Sequence, residues 1–252
     1  MTDDVVMARG RGFIEAPFAP TTRPLSALIG AEPSFPLSAS VRDDRVQAKY
    51  QSASDACVGF SIAQAFRLAC LKKGIECPDL SGLFPYKLGR ASMGLEDTDA
   101  GMSFEAMGTA VTRFGLCSEE VWPFNLMRIN SRVSGTALHD GYDRRGLRGY
   151  YSIDRSDAVT VRHAISKGIP VIGAWQVNRD FEKDSGPTLI DTPTTDIVGS
   201  HAMVLEDYGA DGTFGVLNHY DVNWRDNGRC RLTEGYVKSS LGFVAVDVGP
   251  FL

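Results

Sequence analysis

The sequence predicts an α+β fold in two lobes, and three observations carry that prediction. Helix-periodic runs dominate the first half of the chain, above all residues 57–73 and 104–115. β-branched runs separated by Gly- and Asp-containing turns dominate the second half. The two kinds of element are segregated rather than alternated, which argues for helices and an antiparallel sheet in separate lobes and against a parallel βαβ sheet. With 252 residues, of which 43% are hydrophobic and 23% charged, the chain can bury roughly 70–75% of its unfolded surface as a folded globule.

Taken in order, residues 1–35 carry Pro, Gly and Thr without periodicity, in "EAPFAPTTRPL" and "GAEPSFP". They read as an extended arm lying on, or loosely attached to, a single domain of residues 36–252. From Cys57 to Lys73, Val58, Ile62, Ala65, Phe66 and Ala69 recur at helical spacing, and Gly74 supplies a stop. "CVGFSIAQAF" is apolar nearly all round, so this helix belongs at the centre of the molecule. Ser54 and Asp55 are its candidate caps. "FEAMGTAVTRFG" predicts a second helix ending at Gly115, and "SDAVTVRHAISKG" a third ending at Gly168. "IPVIGAWQV" is a strand; "SHAMVLEDYGADGTFGVLNHY" is strand, turn and strand; "DNG" at 226–228 is a further turn, followed by the strand "RCRL". The cluster "DRRGLRG" reads as a solvated loop.

Several function classes recede. A net charge of −5 offers no basic footprint for nucleic acid. No apolar run reaches the ~20 residues that span a bilayer, so no membrane partner is expected. The start, "MTDDVVMARGRG", lacks the apolar core of a secretory signal. The expected location is cytoplasmic, or delivered without a cleavable signal. The five cysteines, Cys57, Cys70, Cys77, Cys117 and Cys230, are odd in number and contain no CxxC pair. That speaks against a zinc site or redox pair and for a reducing compartment. Neither metal nor cofactor is expected, and the oligomeric state is not encoded in any pattern seen here.

Cys57 stands where a Ser/Asp-rich loop becomes a helix, "QSASDACVGF". Unpaired N–H groups and the dipole at a helix start favour a thiolate, and an imidazolium beside it would favour it further. Of the four histidines, His163 is expected mid-helix and partly exposed, and His139 lies in a loop. His201 opens a strand after small residues, and His219 follows Asn218. If the turn 209–212 joins strands 201–208 and 213–220, His201 faces Tyr220 and Met203 faces Asn218. The pleat then puts His201 and Asn218 diagonally on one face, within reach of an imidazole–amide hydrogen bond. A one-residue slip would separate them. The amide would fix the ring's tautomer, as the third member of a nucleophile–base–orienter triad.

These residues resemble those of papain-like cysteine peptidases, in the lean form found in bacteria and phages, over roughly residues 36–245. "QSASDACVGF" is similar to the family's nucleophile block, with Gln51 at the spacing of the oxyanion-hole glutamine. "GSHAMVLEDYG" resembles the catalytic histidine block. "LNHYDVNWRDNGRCRL" resembles the block holding the orienting asparagine, with Asn218 in that place and Trp224 matching its second tryptophan. "DAGMSFEAMGTAVTRFGLCSEEVWPF" resembles the segment in which Gly101 matches a glycine that contacts extended substrate backbone. The resemblance implies a two-lobe papain-like fold with the site in the cleft, catalytic residues Cys57, His201, Asn218 and Gln51, and substrate contacts at Gly101 and Trp224. It implies hydrolysis of a polypeptide through an acyl-thioester. Val58, His219, Tyr220 and Asp221 depart from the family's pattern, and the usual disulfide beside the nucleophile has no partner cysteine. Those departures leave open a binding scaffold with an altered site, and the same triad would also serve acyl transfer.

Overall fold

The computed structural model describes residues 9–30 and 33–251; the reading of residues 1–8 as lacking a signal core lies outside them. In chain order the elements are α1 (Ser26–Ile29), β1 (Ala39–Ser40), α2 (Cys57–Lys72), α3 (Leu83–Ser92), α4 (Phe104–Phe114), a 3-10 turn (Leu126–Arg128), α5 (Gly135–Asp143), β2 (Leu147–Ile153), α6 (Ala158–Ser166), β3 (Val171–Asn178), α7 (Arg179–Glu182), β4 (Leu189–Ile190), β5 (Ile197–Tyr208), β6 (Phe214–Leu217), β7 (Arg229–Leu232), α8 (Glu234–Lys238) and β8 (Gly242–Val248). This is the α+β architecture expected, with α2–α5 gathered in one lobe and the sheet forming the other.

The sheet runs in the order β2-β8-β3-β5-β6-β7-β4, with β1 paired to β5. Every strand pair is antiparallel except β4 with β7, which is parallel. Along β5, Ala202 and Val204 point into one apolar cluster with α2, while Met203 and Leu205 point into another with α6 and α8. The period of two thus makes β5 the wall between both cores. Across the first core lies α2, whose residues Cys57 to Phe66 are all buried. Burying Phe60, Ile62 and Phe66 contributes about 1.5–3 kcal/mol each. The all-round apolar sequence therefore has its physical reason in a helix enclosed by α3, α4 and the sheet.

Local signals account for several boundaries. Ser103 caps α4 by accepting from the amide of Ala106, and Gly115, at φ 70°, ends it. Asp157 caps α6 through the Thr160 amide. Other expectations fail. Ser54 and Asp55 do not cap α2: the Ser54 hydroxyl donates to the Gln51 carbonyl, and Asp55 accepts from the Arg11 amide. The loop reading of "DRRGLRG" holds only for residues 144–146, because Asp143 ends α5 and Leu147 opens β2, which pairs with β8. His163 is buried, not partly exposed; it packs near Phe35 on the inner face of α6, and burial lowers its pKa.

Candidate active site

Next to the turn the β5–β6 hairpin is one residue off the register read from the sequence, with Tyr208 opposite Phe214; a bulge between Leu205 and Asp207 restores the expected register, with Leu205 opposite Val216 and Val204 opposite Leu217. The ladder stops at Leu217, so His201 pairs instead with Trp175 of β3, and Tyr220 bridges to Tyr50. The diagonal contact nevertheless forms: His201 Nε2 and Asn218 Oδ1 lie 2.8 Å apart. Asn218 Oδ1 also accepts from the His219 amide at 2.8 Å, which fixes the carboxamide. With Asn218 Oδ1 accepting, His201 Nε2 carries the proton. Nδ1 is then the free base, and it has no hydrogen-bond partner.

Cys57 starts α2, which packs on β5, and its sulfur takes a hydrogen bond from the amide of Gly12; the nearby amide of Ala202, next in chain to His201, also favours its thiolate. Tyr220 stacks on the His201 ring at 4.5 Å between centroids. Phe181 and Trp224 close the box behind it, 5.1 Å from one another, with Trp224 Nε1 donating to the Phe181 carbonyl at 3.0 Å. These rings keep water from the His201–Asn218 bond. Trp224 is completely buried, so it supports the box from beneath and does not reach the cleft surface. Asp221 turns its carboxylate to the amide and side chain of Asn223, where it holds a local turn.

The cleft is filled by the chain's own arm. Gly10 donates to the Ser52 carbonyl at 3.1 Å. Its carbonyl accepts from Gln51 Nε2 at 3.0 Å and from the Tyr220 hydroxyl at 3.4 Å. Arg11 donates its amide to Asp55 at 3.0 Å. Gly12 donates to Cys57 Sγ at 3.4 Å and accepts from the Met102 amide at 2.8 Å. Phe13 donates to Ser200, and Ile14 to Met102. The arm runs parallel to the Met102 segment. A Cβ on Gly12 would collide with the Asp55 backbone, and one on Gly101, at φ 85°, with the backbone of Gly12. Two glycines are thus what lets the backbones meet. Sequence reading laid the arm on the domain without locating this insertion; its signal is "GRG" at residues 10–12, small residues flanking a single long cation.

Enclosure fixes the protonation states. Cys57 and His201 have no exposed surface. Burial pushes the thiol up to about 12, against the opposing pull of the Ala202 and Gly12 amides. Burial also pushes His201 down to about 4; the Asn218 bond opposes this, and the nearby Arg11 and Arg9 charges add to it. In the closed state the pair is neutral. An ion pair requires water or substrate polarity to enter. His219, also buried, lies 4.9 Å from His201 and stacks on Phe60, and its pKa is lowered by burial and by His201. Among the described residues, no group of three or more His, Cys, Asp or Glu could hold a metal ion, and no helix is long and apolar enough to cross a membrane. All five cysteines are free and buried.

No family model matches the sequence, and no curated protein matches it. Solved structures do. Xylellain, a cysteine protease from Xylella fastidiosa, superposes with a TM-score of 0.84 at 17% identity, over 96% of this chain and 97% of that one. The procathepsin B S9 of Trypanosoma congolense gives 0.73 at 17% identity, over 97% and 87%. The bromelain protease of Ananas comosus, solved with the E64 inhibitor, gives 0.66 at 19% identity, over 85% and 100%. Helical lobe, sheet lobe and the cleft between them therefore form the papain-like fold that these cysteine proteases share.

Proposed function

We propose that the chain is a cysteine peptidase held latent by its own N-terminal arm. The observation that carries this reading is the His201–Asn218 bond at 2.8 Å, which leaves Nδ1 without a hydrogen-bond partner and available as the base for the Cys57 thiol at the start of α2. With the arm withdrawn, Nδ1 takes the Cys57 proton. The thiolate then attacks a scissile carbonyl carbon. The resulting oxyanion is held by the Gln51 side-chain amide, which now holds the Gly10 carbonyl, and by the Cys57 amide. His201 returns its proton to the leaving amine, and the C–N bond breaks to give an acyl-thioester. Water, deprotonated by His201, adds to the thioester and releases acid and thiol. Asn218 holds the ring in one tautomer throughout, and Gly101 and Met102 offer backbone to the acyl side, as they do to Gly12.

Intact-mass analysis after incubation with an epoxysuccinyl inhibitor, beside a Cys57→Ala control, tests the reading. A single adduct confined to the parent, together with cleavage of unfolded protein that the control lacks, supports it. Cleavage that survives in Cys57→Ala overturns it.

A further inference from the structure

An acidic pocket beside the cleft receives Arg11 of the arm. Glu182 ends α7 with its side chain 5% exposed, and Arg11 Nε lies 2.5 Å from its carboxylate. Among the described residues this is the carboxylate's one ion-pair partner. Arg11 Nη1 donates to the Val198 carbonyl at 2.5 Å, so the guanidinium is gripped from two elements. The pocket, about 610 Å³, continues past Arg11 to Asp180 and Asp196. Its cations are Lys183, which is paired with Asp180 at 2.6 Å, and Arg179. Residue 11 stands between Gly10, whose carbonyl is on Gln51, and Gly12, whose amide is on Cys57. Its side chain therefore enters the pocket from a backbone lying on the reacting groups.

From this geometry we infer that the Glu182 pocket is a subsite for a basic side chain of the substrate, and that Arg11 occupies it as a stand-in while the arm is closed. The inference rests on the peptidase reading and names its specificity. Withdrawal of the arm leaves a carboxylate sunk among protein atoms without its ion-pair partner, an arrangement that favours capture of another guanidinium or ammonium. Phe181, the residue before Glu182, has its ring 6.2 Å from His201. His201 protonates the leaving amine, and Gly101 and Met102 line the acyl side. The pocket thus serves the residue just after the cleaved bond.

The test uses the full chain carrying Arg11→Ala, which empties the pocket, with and without Glu182→Gln. Quenched peptides differing only in Arg, Ala or Glu after the cleaved bond are compared by kcat/KM. Alkylation of Cys57 in the presence of the same peptides reports their binding without turnover. The Arg peptide is expected to be preferred over the Glu peptide by about tenfold or more, to protect Cys57 best, and to lose both advantages with Glu182→Gln. A preference that survives Glu182→Gln, or equal treatment of all three peptides, overturns the subsite. Peptides that protect Cys57 selectively yet are never cut would uphold the subsite while failing the peptidase reading.

Discussion

The amide of Gly12 points at the sulfur of Cys57 across 3.4 Å. It is thus a backbone N–H of the arm that meets the sulfur proposed as the nucleophile. Since Gly12 sits there only because it lacks a side chain, Gly12→Val should evict the arm. Overpacking of this kind costs about 1–3 kcal/mol, and that cost falls on the closed state alone. Alkylation of Cys57 should accelerate by about 10- to 100-fold, with far-UV dichroism unchanged. An unchanged rate would mean that the arm does not control access.

The neutral pair in the closed site gives a pH window. His201 is pushed down to about 4 from 6.5, so the closed state holds fewer protons there than an open one. Its preference is full above about 6.5 and is lost as pH falls toward 4, a loss of about 3 kcal/mol. Cys57 is pushed up to about 12 from 9.0; its contribution is full below 9.0 and is lost as pH rises toward 12. Closure should be tightest between these limits. Protection factors of residues 10–14 against hydrogen exchange, taken relative to the intrinsic rate at each pH, should be greatest there and fall on the acid side. Protection factors that stay constant from pH 7 to about 4 would contradict the burial of a neutral imidazole.

Gln51 has two jobs that a substitution separates. Its Nε2 tethers Gly10 now and would bind the oxyanion in turnover. In Gln51→Ala, alkylation should quicken, because the tether is lost, while kcat should drop by about 10²–10³, because an oxyanion donor is lost. Opposite signs for the two readouts are expected; a fall in both would leave Gln51 with a structural role only.

A stability test lies away from the site. Glu206 on β5 and Arg229 on β7 form a buried ion pair at 2.6 Å, with Arg229 also donating to the Val46 carbonyl at 2.8 Å. Burial raises the Glu206 pKa while Arg229 opposes the rise. Glu206→Leu leaves the guanidinium uncompensated and should cost about 3–5 kcal/mol in denaturant unfolding; pairing it with Arg229→Met should recover most of that.

The parts of the fold visible in the sequence were those fixed by local chemistry. The turn signal at Gly209–Thr213 marks the β5–β6 hairpin, but the register that brings His201 to Asn218 is reached only beyond a bulge between Leu205 and Asp207, which the sequence did not show. The unbroken apolar face of residues 57–66 is enough to place α2 at the centre. Hidden were elements whose stability is tertiary. α3 contains Pro85, Lys87 and Arg90, which obscure its period, yet Arg90 is buried and sits over the Tyr86 ring with its guanidinium on the carbonyls of Thr98 and Ile129. β2 begins inside an Arg-rich stretch and becomes a strand through β8. Glu182 and Arg11 lie far apart in sequence with no pattern joining them. The arm's path depends on Gly10 and Gly12, whose missing side chains read as loop until their neighbours are known.

The arm's anchor and its plug are separate. Leu25, 1% exposed, donates its amide to Ser152 of β2 at 2.9 Å, well beyond the stretch from Gly10 to Ile14 that blocks the thiol. A plug that slips out stays leashed to the sheet by about ten residues, at an effective concentration on the order of millimolar. On the latent-peptidase reading, dilution would therefore not switch the protein on, and its abundance would not set how well it is restrained. Free peptide must outcompete a tethered rival each time the cleft opens. One cut between Ile14 and Leu25 would turn that rival into a dissociable fragment and make the change permanent.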